Sequence, residues 1–232
     1  MHTELTFIDL GGDQSGGQFL AGPENRLAVN VARQLLAGVL DARFPAPSPT
    51  VFHGPSLSGK TMLARGVASR WQQPAEESQR PMKVVFITGA DYARDFADAC
   101  RADTVDAFGQ RVRRCNLLVI DALDELADRI AAQEHLCRTL DALADRGSHC
   151  IATSRVPPAA LPEFIPALIG RLTQGLAVPV SLPSESTRAA MAARFAQQHE
   201  RSLDAECCRM LSNRLPAGVL PLQSAVAQLA MR

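Results

Sequence analysis

This chain of 232 residues predicts an α/β fold, a parallel sheet flanked by helices with a small all-helical segment after it. Three observations carry that expectation. Short apolar strands alternate with helical patterns through most of the length. The segment Leu117-Leu118-Val119-Ile120 has no polar alternation, so both of its faces should be buried. After Pro183 only helical patterns remain.

The elements follow in order. The first 20 residues, Gly-rich around Gly11-Gly12 and Gly16-Gly17, read as an extended lead-in. Residues 25–39 place Leu27, Val31, Leu35 and Val39 on one helical stripe. Phe44-Pro45-Ala46-Pro47-Ser48-Pro49 is a rigid connector that cannot continue a helix. Thr50–His53 is a short strand, residues 54–61 are a loop, and Leu63, Val67 and Trp71 mark the buried face of the next helix. Lys83–Thr88 is a second strand, followed by a helix over 91–101. Asn116–Asp121 is the third strand, and Leu136, Leu140 and Leu143 define a helix that stops near Gly147. Cys150–Thr153 and Leu176–Leu182 complete a five-stranded sheet.

A boundary near residue 182 divides a core (1–182) from a helical segment (183–232). Ser184 or Ser186 caps its first helix, whose inner face holds Met191 and Phe195. A second helix runs through Leu203–Leu211, and a third starts near Pro221, a residue suited to a first turn.

Composition narrows the function. Lys+Arg 24 balance Asp+Glu 24 for a net charge of +0, with 47% hydrophobic residues. Dominant disorder and a globally basic nucleic-acid protein are both excluded. An aromatic content of 5% argues against stacking platforms for single strands. No apolar run approaches the roughly 20 residues that span a bilayer. The start, Met1-His2-Thr3-Glu4-Leu5, lacks a secretory pattern, so a cytoplasmic location without membrane contact is expected. Cys100, Cys115, Cys137, Cys150, Cys207 and Cys208 show no CxxC spacing and read as reduced thiols, four of them in apolar patterns. The histidines His2, His53, His135, His149 and His199 lack ligand spacing and read as packing or surface residues.

Gly54-Pro55-Ser56-Leu57-Ser58-Gly59-Lys60-Thr61 fits G-x-x-x-x-G-K-[ST]. A chance match in a chain of this length has a probability on the order of one per cent. Its glycines let backbone N–H groups converge on phosphate oxygens, and the helix that follows adds its positive dipole end. Lys60 would reach the β- and γ-phosphates, and the Thr61 hydroxyl would ligate Mg²⁺. Leu57 stands where a glycine is common. Downstream, Leu117-Leu118-Val119-Ile120-Asp121 ends an apolar strand in an acid that can hold Mg²⁺ beside Thr61. The next residue, Ala122, stands where many ATPases place the acid that activates water. Asp124 and Glu125 are the nearby substitutes.

These residues, with Gln18-Phe19-Leu20-Ala21-Gly22-Pro23-Glu24-Asn25-Arg26-Leu27-Ala28, VVFITGADYARDF, IATSRVPP and GRLTQGLAVPVSLPSESTRAAM, resemble the AAA+ ATPase domain of the bacterial DnaA/Hda family over residues 18–232. The resemblance implies a P-loop NTPase of the AAA+ class, a five-stranded parallel sheet and a helical lid, with ATP or ADP bound between them. It places Phe19 to Asn25 beside the adenine and ribose. It makes Arg171 an arginine finger offered to a neighbouring AAA+ subunit, with Lys60 and Asp121 as the other catalytic groups.

It also marks departures: Ala122 at the second acid, Arg155 at an acidic sensor, and Leu220 at the lid's sensor arginine. Hydrolysis is therefore expected to be weak or partner-dependent. Residues 91–115 correspond to the family's insertion for single-stranded DNA, where Arg111, Arg113 and Arg114 either contact phosphates or form a solvated basic turn. No helix-turn-helix segment follows, so direct reading of duplex origin boxes is not expected. Three functions stay open: a modulator of replication initiation acting through AAA+ contacts, an autonomous ATPase of helicase-loader type, and a degenerate scaffold.

Overall fold

The computed structural model describes residues 5–9, 18–37, 47–73 and 82–231. The glycine pairs at 11–12 and 16–17, Val39, Phe44–Ala46 and His2 lie outside them. Strands β1 (Thr6–Asp9) and β2 (Gln18–Ala21) pair antiparallel, so the expected lead-in contains a two-stranded ribbon. The main sheet comprises β3 (Thr50–His53), β4 (Val84–Thr88), β5 (Leu117–Asp121), β6 (His149–Ser154) and β7 (Leu176–Pro179). Its order is β4-β5-β6-β3-β7 and every pairing is parallel.

Strand periodicity explains the layering. Leu117 and Val119 face one side, where they pack with helices α1 (Arg26–Ala37) and α2 (Lys60–Gln72). Leu118 and Ile120 face the other, against α3 (Gly89–Arg101), α4 (Val105–Arg113), α5 (Ile130–Asp145) and α6 (Pro166–Gln174). All five β5 residues are buried, as a strand covered on both faces requires. Four cysteines, Cys115, Cys137, Cys150 and Cys208, are buried thiols.

Three helices differ from the sequence reading. On α1 the buried face is Ala28, Val31, Ala32 and Leu35, whereas Leu27 is exposed. The small alanines allow close approach, and Leu27 in the first turn is rotated off that face. Helix α4 breaks from α3 at Asp103, whose positive φ turns the chain. Helix α6 also goes beyond the sequence reading; Pro166 sits in its first turn.

After β7 come α7 (Glu185–Gln198), α8 (Ala205–Arg214) and α9 (Val219–Ala230). Ser184, rather than Ser186, caps α7 by accepting from the Thr187 amide, and Asp204 caps α8 from the Cys207 amide. Their shared core holds Met191, Phe195, Cys208, Leu222 and Val226, and Leu20 of β2 joins it.

A buried polar network lies between α3, α4 and α5. The Tyr92 hydroxyl bonds His135 Nδ1 at 2.8 Å and Thr139 Oγ1 at 3.2 Å, and Arg113 Nη2 donates to His135 Nε2 at 3.2 Å. Burial, reinforced by the Arg113 and Arg138 charges, pushes the His135 imidazole down to about 4 from 6.5. The unfolded chain therefore binds this proton first as the pH falls, so the neutral histidine's stability is intact above pH 6.5 and drains away below it. Stability is expected to fall by about 2 kcal/mol between pH 6.5 and about pH 5, measured by urea denaturation. A His135→Gln variant, which cannot take up the proton, should lose most of that slope.

Candidate functional site: the phosphate loop and its neighbours

The loop joins β3 to α2, the strand-to-helix setting that phosphate binding needs. Gly54 has φ +150, and a Cβ there would lie 2.1 Å from the Val180 carbonyl oxygen. Gly59 has φ +97, and its Cβ would meet the Phe19 ring at 2.8 Å. Both positions exclude any larger residue. Ser58 is buried, while Pro55, Ser56 and Leu57 are exposed. The backbone N–H groups of residues 57–61 donate to no acceptor among the described residues. The loop is thus open rather than folded onto itself.

Lys60 lies over this loop, with its ammonium donating to Gly54 O at 2.8 Å, Pro55 O at 2.7 Å and Ser58 Oγ at 3.5 Å. Burial lowers its pKa, and the charges of Asp124 and Asp121 oppose that shift. Thr61 Oγ1 donates to Asp121 Oδ1 at 2.9 Å, which joins the loop to the end of β5 as the sequence anticipates. Thr153 on neighbouring β6 donates to the same oxygen at 2.6 Å and accepts from the Ala122 amide at 2.8 Å. Sequence reading missed Thr153, although a threonine ending the strand beside an acid-tipped one is a readable signal. Asp121 Oδ2 has no hydrogen-bond partner among the described residues.

Leu57 has φ +66 and is 58% exposed, so the missing glycine is a real conformational strain. Leu57→Gly would remove about 1–2 kcal/mol of left-handed strain and add about 0.5–1 kcal/mol of unfolded-state freedom. Its Tm is therefore expected to rise slightly in a thermal melt. A fall of several degrees would show that the Leu57 contact with Gly218, at the start of α9, matters more.

The remaining expected residues divide. Phe19 is buried beneath Gly59. Asn25 is also buried; its amide donates to Ser181 O at 2.9 Å and accepts from Ser181 N at 2.8 Å, so both polar atoms are taken. Glu24, within the same expected segment, accepts from Ser184 N at 3.0 Å and Thr187 Oγ1 at 3.2 Å. The segment before α1 therefore ties down the chain that enters α7.

Around the missing second acid, Ala122 has φ +52 and turns the chain away from the strand line. Asp124 then pairs with Arg155, whose Nε donates at 2.5 Å and whose backbone N–H donates at 3.1 Å. Glu125 accepts from the Ala90 amide at 3.2 Å, at the start of α3. Leu220 is 66% exposed on α9.

Arg171, in the last turn of α6, is held away from the loop. Its Nε and Nη2 grip Asp141 of α5 at 2.7 and 2.8 Å, and Nη1 donates to Ala167 O at 3.0 Å. This bidentate pair holds the Asp141 carboxyl below, and the Arg171 guanidinium above, their usual values. The three insertion arginines do not form one patch. Arg111 pairs with Asp95 at 2.7 Å, Arg113 reaches inward to His135, and Arg114 is exposed.

A phosphate cradle at the carboxyl end of a five-stranded parallel sheet, with an acid on the next strand but one, defines a P-loop NTPase fold of the AAA+ class. A sequence profile for the bacterial DnaA ATPase domain matches residues 13–179. The chain belongs to that family. It is 30% identical over 220 residues to the chromosomal replication initiator protein DnaA of Caulobacter sp. (strain K31), covering 92% of this chain and 44% of that one. The chain thus spans less than half the length of the curated relatives it matches. Two solved structures share its fold. Domain III of the Thermotoga maritima replication initiation protein DnaA has a TM-score of 0.78 and 23% identity, covering 92% of this chain and 85% of that one. A replication initiator DnaA bound to AMPPCP and single-stranded DNA has a TM-score of 0.81 and 19% identity, covering 92% of this chain and 63% of that one.

Proposed function

We propose that this chain binds ATP and ADP and modulates DNA replication initiation through contacts with other AAA+ subunits, itself or a DnaA-like initiator, hydrolysing ATP weakly or only with a partner. The observation that carries this reading is the set of amides at residues 57–61 that find no acceptor among the described residues, arched beside the Lys60 ammonium. Backbone donors and a helix N-terminus converging there suit a di- or triphosphate. The DnaA relative whose fold it shares carries AMPPCP and single-stranded DNA, which supports the same two ligands here.

Magnesium fits the site. Thr61 and Asp121 bring two oxygens together, with Asp121 Oδ2 open to a metal-bound water. Among the described residues no three His, Cys, Asp or Glu side chains converge as a metal cage. A Mg²⁺ shared with phosphate oxygens needs none, and bound there it would neutralise phosphate charge. Phe19 would then shape the adenine side of the pocket through the loop it supports. Helices α7–α9 serve as the lid over a core ending near residue 182.

Weak turnover follows from Ala122 and from the engagement of both substitute acids. Asp124 is taken by Arg155 and Glu125 by the Ala90 amide, which disfavours the autonomous-ATPase alternative. Single-stranded DNA would meet Arg114 first, with Arg111 available if its Asp95 pair opens. No helix among the described residues is long and apolar enough to cross a membrane, and a cytoplasmic site of action suits the reading.

Titration calorimetry with Mg·ATP and Mg·ADP tests the proposal, followed by sizing chromatography with and without ATP. Binding of both nucleotides and ATP-dependent assembly are expected. A chain that binds neither would be the scaffold.

A further inference from the structure

Two large apolar side chains stand uncovered where the phosphate loop meets the last helix. Leu57, on the loop, is 58% exposed, and Leu220, in the first turn of α9, is 66% exposed. Single exposed leucines are ordinary on a protein surface. These two are set apart by their placement and by the backbone that carries the first of them.

Leu57 holds φ +66, a left-handed conformation that glycine adopts freely and leucine does not. Strain of this kind persists where the surroundings or the function hold it in place. Here the surroundings are the start of α9. A Cβ on Gly218, the residue before that helix, would stand 3.0 Å from Leu57 Cβ, 3.3 Å from Leu57 Cδ1 and 3.5 Å from Pro221 Cδ. Leu57 therefore rests against the backbone of Gly218, and Leu220 follows two residues on. Helix α9 itself is packed on α7 and α8 through Leu222 and Val226, and Val219–Ala230 carries no charged residue. What this helix offers the loop is apolar surface.

We propose that Leu57 and Leu220 form an apolar clasp that closes over a bound nucleotide and slows its release. The clasp rests on the nucleotide-binding reading above and extends it to how the ligand is retained. In the free chain both side chains remain largely in water. With phosphates in the loop, the three C-terminal helices settle toward it, Leu220 covers Leu57, and the two leave water together. Exposing them again becomes part of the barrier to nucleotide departure. The left-handed turn at residue 57 aims the loop's leucine at α9.

Stopped-flow release of N-methylanthraniloyl-ADP with Mg²⁺, chased by excess Mg·ADP, tests this on wild type, Leu57→Ala, Leu220→Ala and the double variant. Each alanine is expected to speed release about three- to tenfold, the effect of losing the burial of about half a leucine side chain. The double variant should release within about twofold of the faster single one, because either side chain alone has nothing to close on. Leu57→Met and Leu220→Met, which keep volume and apolarity, should stay within about twofold of wild type. A double variant faster than that, an alanine variant that matches wild type, or methionine variants as fast as the alanine ones would overturn the clasp. Both side chains are exposed in the free chain, so the variants should fold, and circular dichroism checks that they do. A wild-type chain that binds no Mg·ADP in calorimetry defeats the nucleotide reading itself. One that binds it, with release indifferent to residues 57 and 220, defeats only the clasp.

Discussion

Lys60→Ala is expected to lower affinity for both ATP and ADP by at least about a hundredfold, since it removes the ammonium that charge-assisted contacts to phosphate require. The geometry makes the expectation sharp. In the resting chain Lys60 occupies the Gly54 and Pro55 carbonyls, so the cation is already stationed over the loop and needs only to exchange partners. Its low exposure means that removal also relieves a buried charge, so circular dichroism and thermal melts should show a folded protein. Calorimetric binding within a few-fold of wild type would show that the loop does not hold phosphate.

The second large effect is in trans. Arg171→Ala is expected to reduce turnover by an assembled DnaA-type partner by about 10³–10⁵-fold, the range for an arginine finger, while leaving this chain's own nucleotide affinity unchanged. The mutation also breaks the bidentate grip on Asp141, but the Arg171 side chain is 32% and that of Asp141 52% exposed, and ion pairs open to solvent contribute about 0–1 kcal/mol. Asp141→Asn supplies the contrast, because it keeps the finger and weakens its resting partner; stimulation should hold or increase. Partner turnover that ignores Arg171→Ala removes the finger from the mechanism.

Much of this was readable from the sequence for identifiable reasons. The five strands are continuous apolar runs in a parallel sheet, so Val51, Leu118, Ile151 and their neighbours announce themselves. The loop and Asp121 were legible because phosphate chemistry fixes residue types at fixed spacing, and their meeting at 2.9 Å follows from adjacent crossovers. Helices α4 and α6 were not, being short and set by tertiary docking and turns rather than periodicity. Nor were the partners of Arg171, Arg155 and Asn25, which lie 30, 31 and 156 residues away in sequence. A side chain's role at this site depends on which distant acid or carbonyl reaches it first. Arg113 illustrates the point: a basic cluster on paper includes one member that turns inward to a neutral histidine.

The ties from Glu24 and Asn25 to residues 181–187 have a mechanical consequence. They clasp the chain on both sides of the pivot between β7 and α7, so any swing of the three C-terminal helices bends about a point held by residues from the opposite end of the sequence. The resting angle of those helices is therefore inherited from the turn that leads into α1, and removing the carboxylate of Glu24 would loosen that angle while leaving the Phe19 ring in place beneath Gly59.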